Sequence, residues 1–148
     1  MPTITRWFIK TGILYFLLGV LLSIVAEIPT SGAGSLLLPV YWHMLVIGWL
    51  TQIIMGVSIW MFPRKDRSNK KRESILSWSA YWLLNTGLAL RYLSEPFLPL
   101  FQDSILLSAS ILISSLMQIA GITSYILEIW PRLKPRKKRK RKRTGSNA

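Results

Sequence analysis

Four long stretches of this chain carry no formal charge: residues 11–26, 28–63, 74–90 and 104–127. Crossing the ~30 Å of bilayer hydrocarbon takes ~20 mostly apolar residues in a helix. The stretches therefore predict four membrane-spanning helices, at about 5–26, 38–62, 75–94 and 104–128. In lipid the backbone must satisfy its own hydrogen bonds, which for segments of this length means α-helix. Short connections make consecutive helices antiparallel, so the expected fold is an all-α, up-down four-helix bundle over residues 1–130. Arg6 and Lys10 ahead of an apolar run suggest a signal peptide. The run instead continues to Ala26, no A-x-A-type site follows, and three more spans come after it, so a span is expected here too.

The charges lie between these segments. Lys and Arg number 19 against 6 acids, a formal charge of +13. Ten of the cations fall in residues 132–143, six in residues 64–73, and Arg6 and Lys10 precede the first span. All eighteen lie on one side of the predicted bundle, while the opposite loops, 27–37 and 95–103, carry none. Lys and Arg in short flanks mark the cytoplasmic side. Both termini are thus expected in the cytoplasm, with the chain in the cytoplasmic membrane of a bacterium or archaeon. Trp7, Trp60, Trp78 and Trp130 would lie at the inner interface, and Trp42 and Tyr92 at the outer one. The Gly-, Ser- and Pro-rich stretch 28–39 reads as an irregular outer loop whose Leu36 to Leu38 dip back into the interface.

Small and polar residues recur at helical spacing within the spans and mark the faces expected to pack. They are Gly12, Gly19 and Ser23 in the first; Gly48, Gln52 and Gly56 in the second; Tyr81, Asn85, Ala89 and Tyr92 in the third; and Ser110, Ser114, Gln118, Gly121 and Tyr125 in the fourth. Such stripes suit helix packing or the lining of a cofactor cavity, and spacing alone does not choose between them.

Two residues stand out as a candidate site. His43, the sole histidine, is placed about one turn inside the outer end of the second span. A neutral imidazole there suits an axial haem ligand, or a side chain bonded to a carbonyl or to water. Arg91 is placed at a similar depth on the third span, where a cation needs a partner. That partner is Glu95 one turn on, Glu27 across the outer loop, or a ligand carboxylate such as a haem propionate, which the planar guanidinium fork suits. No facing His or Met lies at this depth, so a haem would be five-coordinate, or take its second ligand from another copy or another subunit.

The stretch from His43 through Gly48-Trp49 and Gly56 to Phe62-Pro63-Arg64 resembles the second transmembrane helix of haem–copper oxidase subunit I, and most closely its shorter, four-helix relatives. The 10–19 stretch, Arg91 and Glu95-Pro96 fit the same pattern. The resemblance implies that His43 ligates haem b and that Arg91 meets its propionates. It also implies a role in electron transfer, or as an accessory of a respiratory complex. The family's copper-binding histidines lie on later helices, so one His implies no oxygen-reducing centre and no catalysis by this chain alone. Tyr41 stands where many relatives have a further His. A cofactor-free structural or assembly subunit is the alternative, and a small oligomeric channel lined by Ser110, Ser114 and Gln118 a third. A homodimer or a larger respiratory complex is the expected assembly.

Residues 131–148 are expected to form a disordered polybasic tail. Its Arg136, Lys137, Lys138, Arg139, Lys140, Arg141, Lys142 and Arg143 are expected to bind anionic inner-leaflet headgroups, at ~1 kcal/mol each, rather than a specific nucleic acid. With no cysteine, thiolate metal sites, thiol nucleophiles and disulfides are excluded. A Gly-rich phosphate loop is missing as well.

Overall fold

The computed structural model describes residues 1–28, 34–62, 75–101 and 103–133. Among them there are four helices and no strand. Helix α1 is Thr3–Ala26. Helix α2 runs through three consecutive stretches: Gly34–His43, a π-helical Met44–Thr51, and Gln52–Met61. Helix α3 is Ile75–Ser94, followed by a 3-10 turn at Glu95–Phe97, and α4 is Ile105–Leu133. The basic 64–73 segment and the tail cations Arg136 to Arg143 lie outside the described residues.

Among the described residues three helices are long and apolar enough to cross a membrane: Thr3–Ala26, Leu36–Met61 and Ile105–Leu133. Helix α3 has the length but is less apolar, because it carries Ser77, Ser79, Asn85, Thr86 and Arg91. Most of its polar groups are sheltered by neighbours, while the exposed Thr86 donates back to the Trp82 carbonyl. Ser77 and Tyr81 are buried, and Asn85 is half-buried. Apolar residues cover the outside instead. Ile13, Leu14, Leu17 and Leu21 on α1, and Leu112, Leu116 and Ile119 on α4, are all exposed. A water-facing surface this apolar marks a lipid or protein contact.

Helix α1 packs along α2, and α3 packs along α4. The two pairs meet through a core of Ile4, Phe8, Met55, Ile59, Ala80, Tyr81, Leu84 and Leu88. Glycines set the close approaches. A Cβ on Gly121 would lie 3.0 Å from the Leu84 amide nitrogen and 3.2 Å from the Ala80 carbonyl oxygen. Backbone meets backbone there, so α3 and α4 lie as near as a glycine permits.

Polar bonds cross the interfaces where the stripes converge. Thr11 Oγ1 donates to Gln52 Oε1 at 2.8 Å, and Gln52 Nε2 donates to Asn85 Oδ1 at 3.1 Å, tying α1, α2 and α3 together. Ser114 Oγ donates to the Gly87 carbonyl at 2.8 Å and accepts from Gln118 Nε2 at 3.1 Å. The Ser58 and Tyr125 hydroxyls meet at 2.6 Å. Hydroxyls lacking such partners bond back onto their own helix, as Ser110 does to Leu106 and Ser124 to Ala120. The side chains that would line a pore, Ser114 and Gln118, are buried against α3.

Two boundaries differ from the sequence reading. Helix α2 begins at Gly34, and Leu36 to Leu38 are helical rather than looped back. The apolar run simply extends the span outward, since Pro39 lies within the first turns of that helix and does not break it. At the other end, Pro131 lies inside α4, which continues to Leu133. Arg132 therefore belongs to a helix. Its Nη1 donates to the carbonyls of Phe62 at 3.0 Å and Ile59 at 3.4 Å, and its Nη2 pairs with Glu128. A cation on the last carbonyls of α2 is favoured by the negative end of that helix dipole.

Candidate functional site

The site is built where α2 changes its winding. His43 is the last residue before the π-helical stretch. Over five residues an ordinary α-helix turns its face by about 140°. The wider π pattern turns it less, so His43 and the inward-facing Gly48 come closer to one face. Thr51 supports the wide turn by donating from Oγ1 to Val46 O, five residues back, at 2.9 Å. Gly48 makes room for Tyr15, whose Cγ would lie 2.8 Å from a Cβ added there. π-Helical winding is rare and is frequent at functional sites. With the apolar span starting at Leu36, His43 lies about 10 Å along the axis, deeper than one turn.

The ring of His43 is held from both sides. Nδ1 lies 2.7 Å from the Pro39 carbonyl oxygen, to which it donates its hydrogen. Nδ1 also lies 3.3 Å from Glu95 Oε2, an atom fully buried and without an aligned hydrogen bond. Among the described residues Nε2 has no hydrogen-bond partner, so its lone pair is available. Glu95 opens the 3-10 turn after α3, and its side chain is one-tenth exposed.

Arg91 completes the cluster. Its Nε donates to Glu95 Oε1 at 3.2 Å, and its Nη1 donates to Ser115 Oγ on α4 at 3.1 Å. Ser115 in turn donates to the Ile111 carbonyl at 2.9 Å. Burial alone would raise the Glu95 carboxyl. The Nδ1–H edge of His43 at 3.3 Å and the Arg91 guanidinium outweigh this and hold it below the ordinary carboxylate value. Tyr92 stands beside the cluster with its hydroxyl buried and unpartnered, its ring tilted against Tyr15 at 5.6 Å.

His43 and Arg91 are thus brought together through Glu95, which contacts both. The sequence reading had Glu95 as one candidate partner of Arg91 and missed its approach to His43. The i, i+4 spacing of Arg91 and Glu95 was a visible signal for the first contact. Nothing local signals the second, which depends on where the turn after α3 meets α2. Ser115 was missed because it lies one residue off the buried stripe through Ser114. Among the described residues no group of three or more His, Cys, Asp or Glu side chains could hold a metal ion.

No family model, characterised protein or solved structure matches the chain.

Proposed function

We propose that this chain is an integral membrane protein that binds haem b through His43 Nε2, as a short relative of haem–copper oxidase subunit I. The observation that carries the proposal is the fixed tautomer of His43. A carbonyl oxygen only accepts, so Nδ1 at 2.7 Å from Pro39 O carries a hydrogen, and in the neutral ring Nε2 is left as the lone-pair donor. Metal-ligating histidines are oriented in this way by their second nitrogen. When bound, haem supplies one-electron transfer. The chain itself supplies the ligand, a buried carboxylate beside the ring, and a guanidinium. Arg91 would meet a propionate with the part of its fork not engaged by Glu95 and Ser115. The chain holds no second histidine, so it acts in electron transfer or as an accessory of a respiratory complex, not as an oxygen reductase.

The membrane part of the proposal rests on three long apolar helices, the exposed apolar belt and the one-sided cations. The one-sided cations of the sequence support both termini in the cytoplasm, with Arg136 to Arg143 on anionic headgroups. Reporter fusions at each end test this, and a tail found outside overturns it. The haem part is tested by purifying the chain from haem-replete cells. Wild type is expected to show a Soret band that His43→Ala abolishes.

One observation favours a second reading, a cofactor-free structural or assembly subunit. Arg91 already has protein partners in Glu95 Oε1 and Ser115, with no ligand carboxylate needed. A colourless, folded protein that co-purifies with a larger complex would select this reading.

A further inference from the structure

We propose that Glu95 tunes His43 as a ligand through its charge, an inference that rests on the haem reading. The geometry is specific. Glu95 Oε2 lies 3.3 Å from Nδ1, on the ring edge away from the nitrogen offered to iron. That oxygen is fully buried without a well-aligned donor. A carboxylate oxygen in this state is costly and stays only where its surroundings hold it. Here they do. Arg91 Nε grips the other oxygen, Oε1, at 3.2 Å, and Arg91 is itself tied to α4 through Ser115 at 3.1 Å. The chain Ser115–Arg91–Glu95 thus aims one carboxylate oxygen from α3 and α4 at a ring carried by α2.

The consequence follows from charge. A buried negative charge 3.3 Å behind a ligating imidazole favours positive charge on the ring and on the metal it holds, even where the ring hydrogen is given to another acceptor. It favours ferric over ferrous haem, because the ferric form carries one more positive charge. The Pro39 carbonyl orients the ring without contributing a formal charge, so the electronic effect belongs to Glu95. Arg91 offsets part of it, but contacts Oε1, while Oε2 is the oxygen beside the ring. Glu95 needs no contact with haem for this role.

The test uses Glu95→Gln, which keeps the side-chain size and an oxygen for Arg91 while removing the charge. Two readouts separate the inference from the reading beneath it. In haem-loaded protein, Glu95→Gln is expected to retain the Soret band and shift the redox equilibrium toward ferrous by about tenfold, equivalent to about 59 mV upward for one electron. Glu95→Asp is expected to recover part of the shift. In haem-free protein the sole histidine, labelled with 15N, gives a single imidazole spectrum. Glu95→Gln is expected to move its Nδ1–H resonance upfield. A wild type without a Soret band sinks the haem reading, and the haem-free spectrum then still decides whether Glu95 sets the ring. If Glu95→Gln changes neither resonance nor potential, Glu95 does not act through His43.

Discussion

Replacing Arg91 and Glu95, singly and together, by leucine probes whether the cluster is a coupled unit. At 3.2 Å two unit charges attract by about 5 kcal/mol with an effective dielectric near 20, before the cost of removing both from water. The side chains are 18% and 10% exposed, so that cost is substantial. Removing one partner of a buried pair usually costs about 3–5 kcal/mol, because a charge is stranded. Here neither survivor is wholly stranded. Arg91 keeps Ser115, and Glu95 keeps the neighbouring His43. Each single substitution is therefore expected to cost about 2 kcal/mol, below that range. The double substitution trades two charges for two apolar side chains and is expected to cost only about 1 kcal/mol. The resulting coupling of about 3 kcal/mol lies at the upper end of measured contacts. Reversible SDS titration in mixed micelles, followed by the fluorescence of the seven Trp, measures all three. A double variant whose cost equals the sum of the singles would refute the coupling and the geometry behind it.

Gly121→Ala is expected to destabilise by about 1–2 kcal/mol in the same titration, because its Cβ would press on the backbone of α3 and overpacking outweighs the gain in helix propensity. Gly19→Ala, whose Cβ would meet side-chain rather than backbone atoms, Leu45 Cδ2 at 3.0 Å and Met44 Cβ at 3.2 Å, is expected to cost less than Gly121→Ala, about 0.5–1 kcal/mol. Because the Glu95 carboxyl is held below its ordinary value of 4.5, the unfolded chain binds the extra proton first as pH falls. Its contribution is then complete above pH 4.5 and lost as pH drops through the lower folded value, and Glu95→Gln is expected to flatten this part of a stability profile taken from pH 7 to 3. Arg132→Ala removes the cation from the last carbonyls of α2 and is expected to cost about 1 kcal/mol, with no change in a haem spectrum.

Helix and helix count were legible because charge-free segments of this length allow few alternatives. The packing stripes of the second and fourth spans were legible too, whereas in the third Ala89 is exposed and Leu84, Gly87 and Leu88 form the buried face. Gly48, Gln52 and Gly56 are buried together, as are Ser114, Gln118 and Gly121, because one helical face must carry the interface. Other features had no local signature. The π-helical winding at Met44–Thr51 is a choice between nearby backbone hydrogen-bond patterns, and the same apolar residues suit either. Arg132 reads as the first cation of a tail, yet an open carbonyl end on another helix recruits it. Glu95 and His43 lie 52 residues apart, and only the turn after α3 brings them to 3.3 Å. The sequence could nominate His43 and Arg91 by their oddity in apolar surroundings. It could not show that one carboxylate joins them.

The most direct measurement is the absorption spectrum of the purified chain, oxidised and then reduced, beside that of His43→Ala. Haem held by His43 Nε2 requires a Soret band at stoichiometric intensity in wild type, shifted on reduction, and its loss in a His43→Ala protein that keeps its helix content. A folded wild type from haem-replete cells without that band, or a band indifferent to His43→Ala, contradicts the assignment.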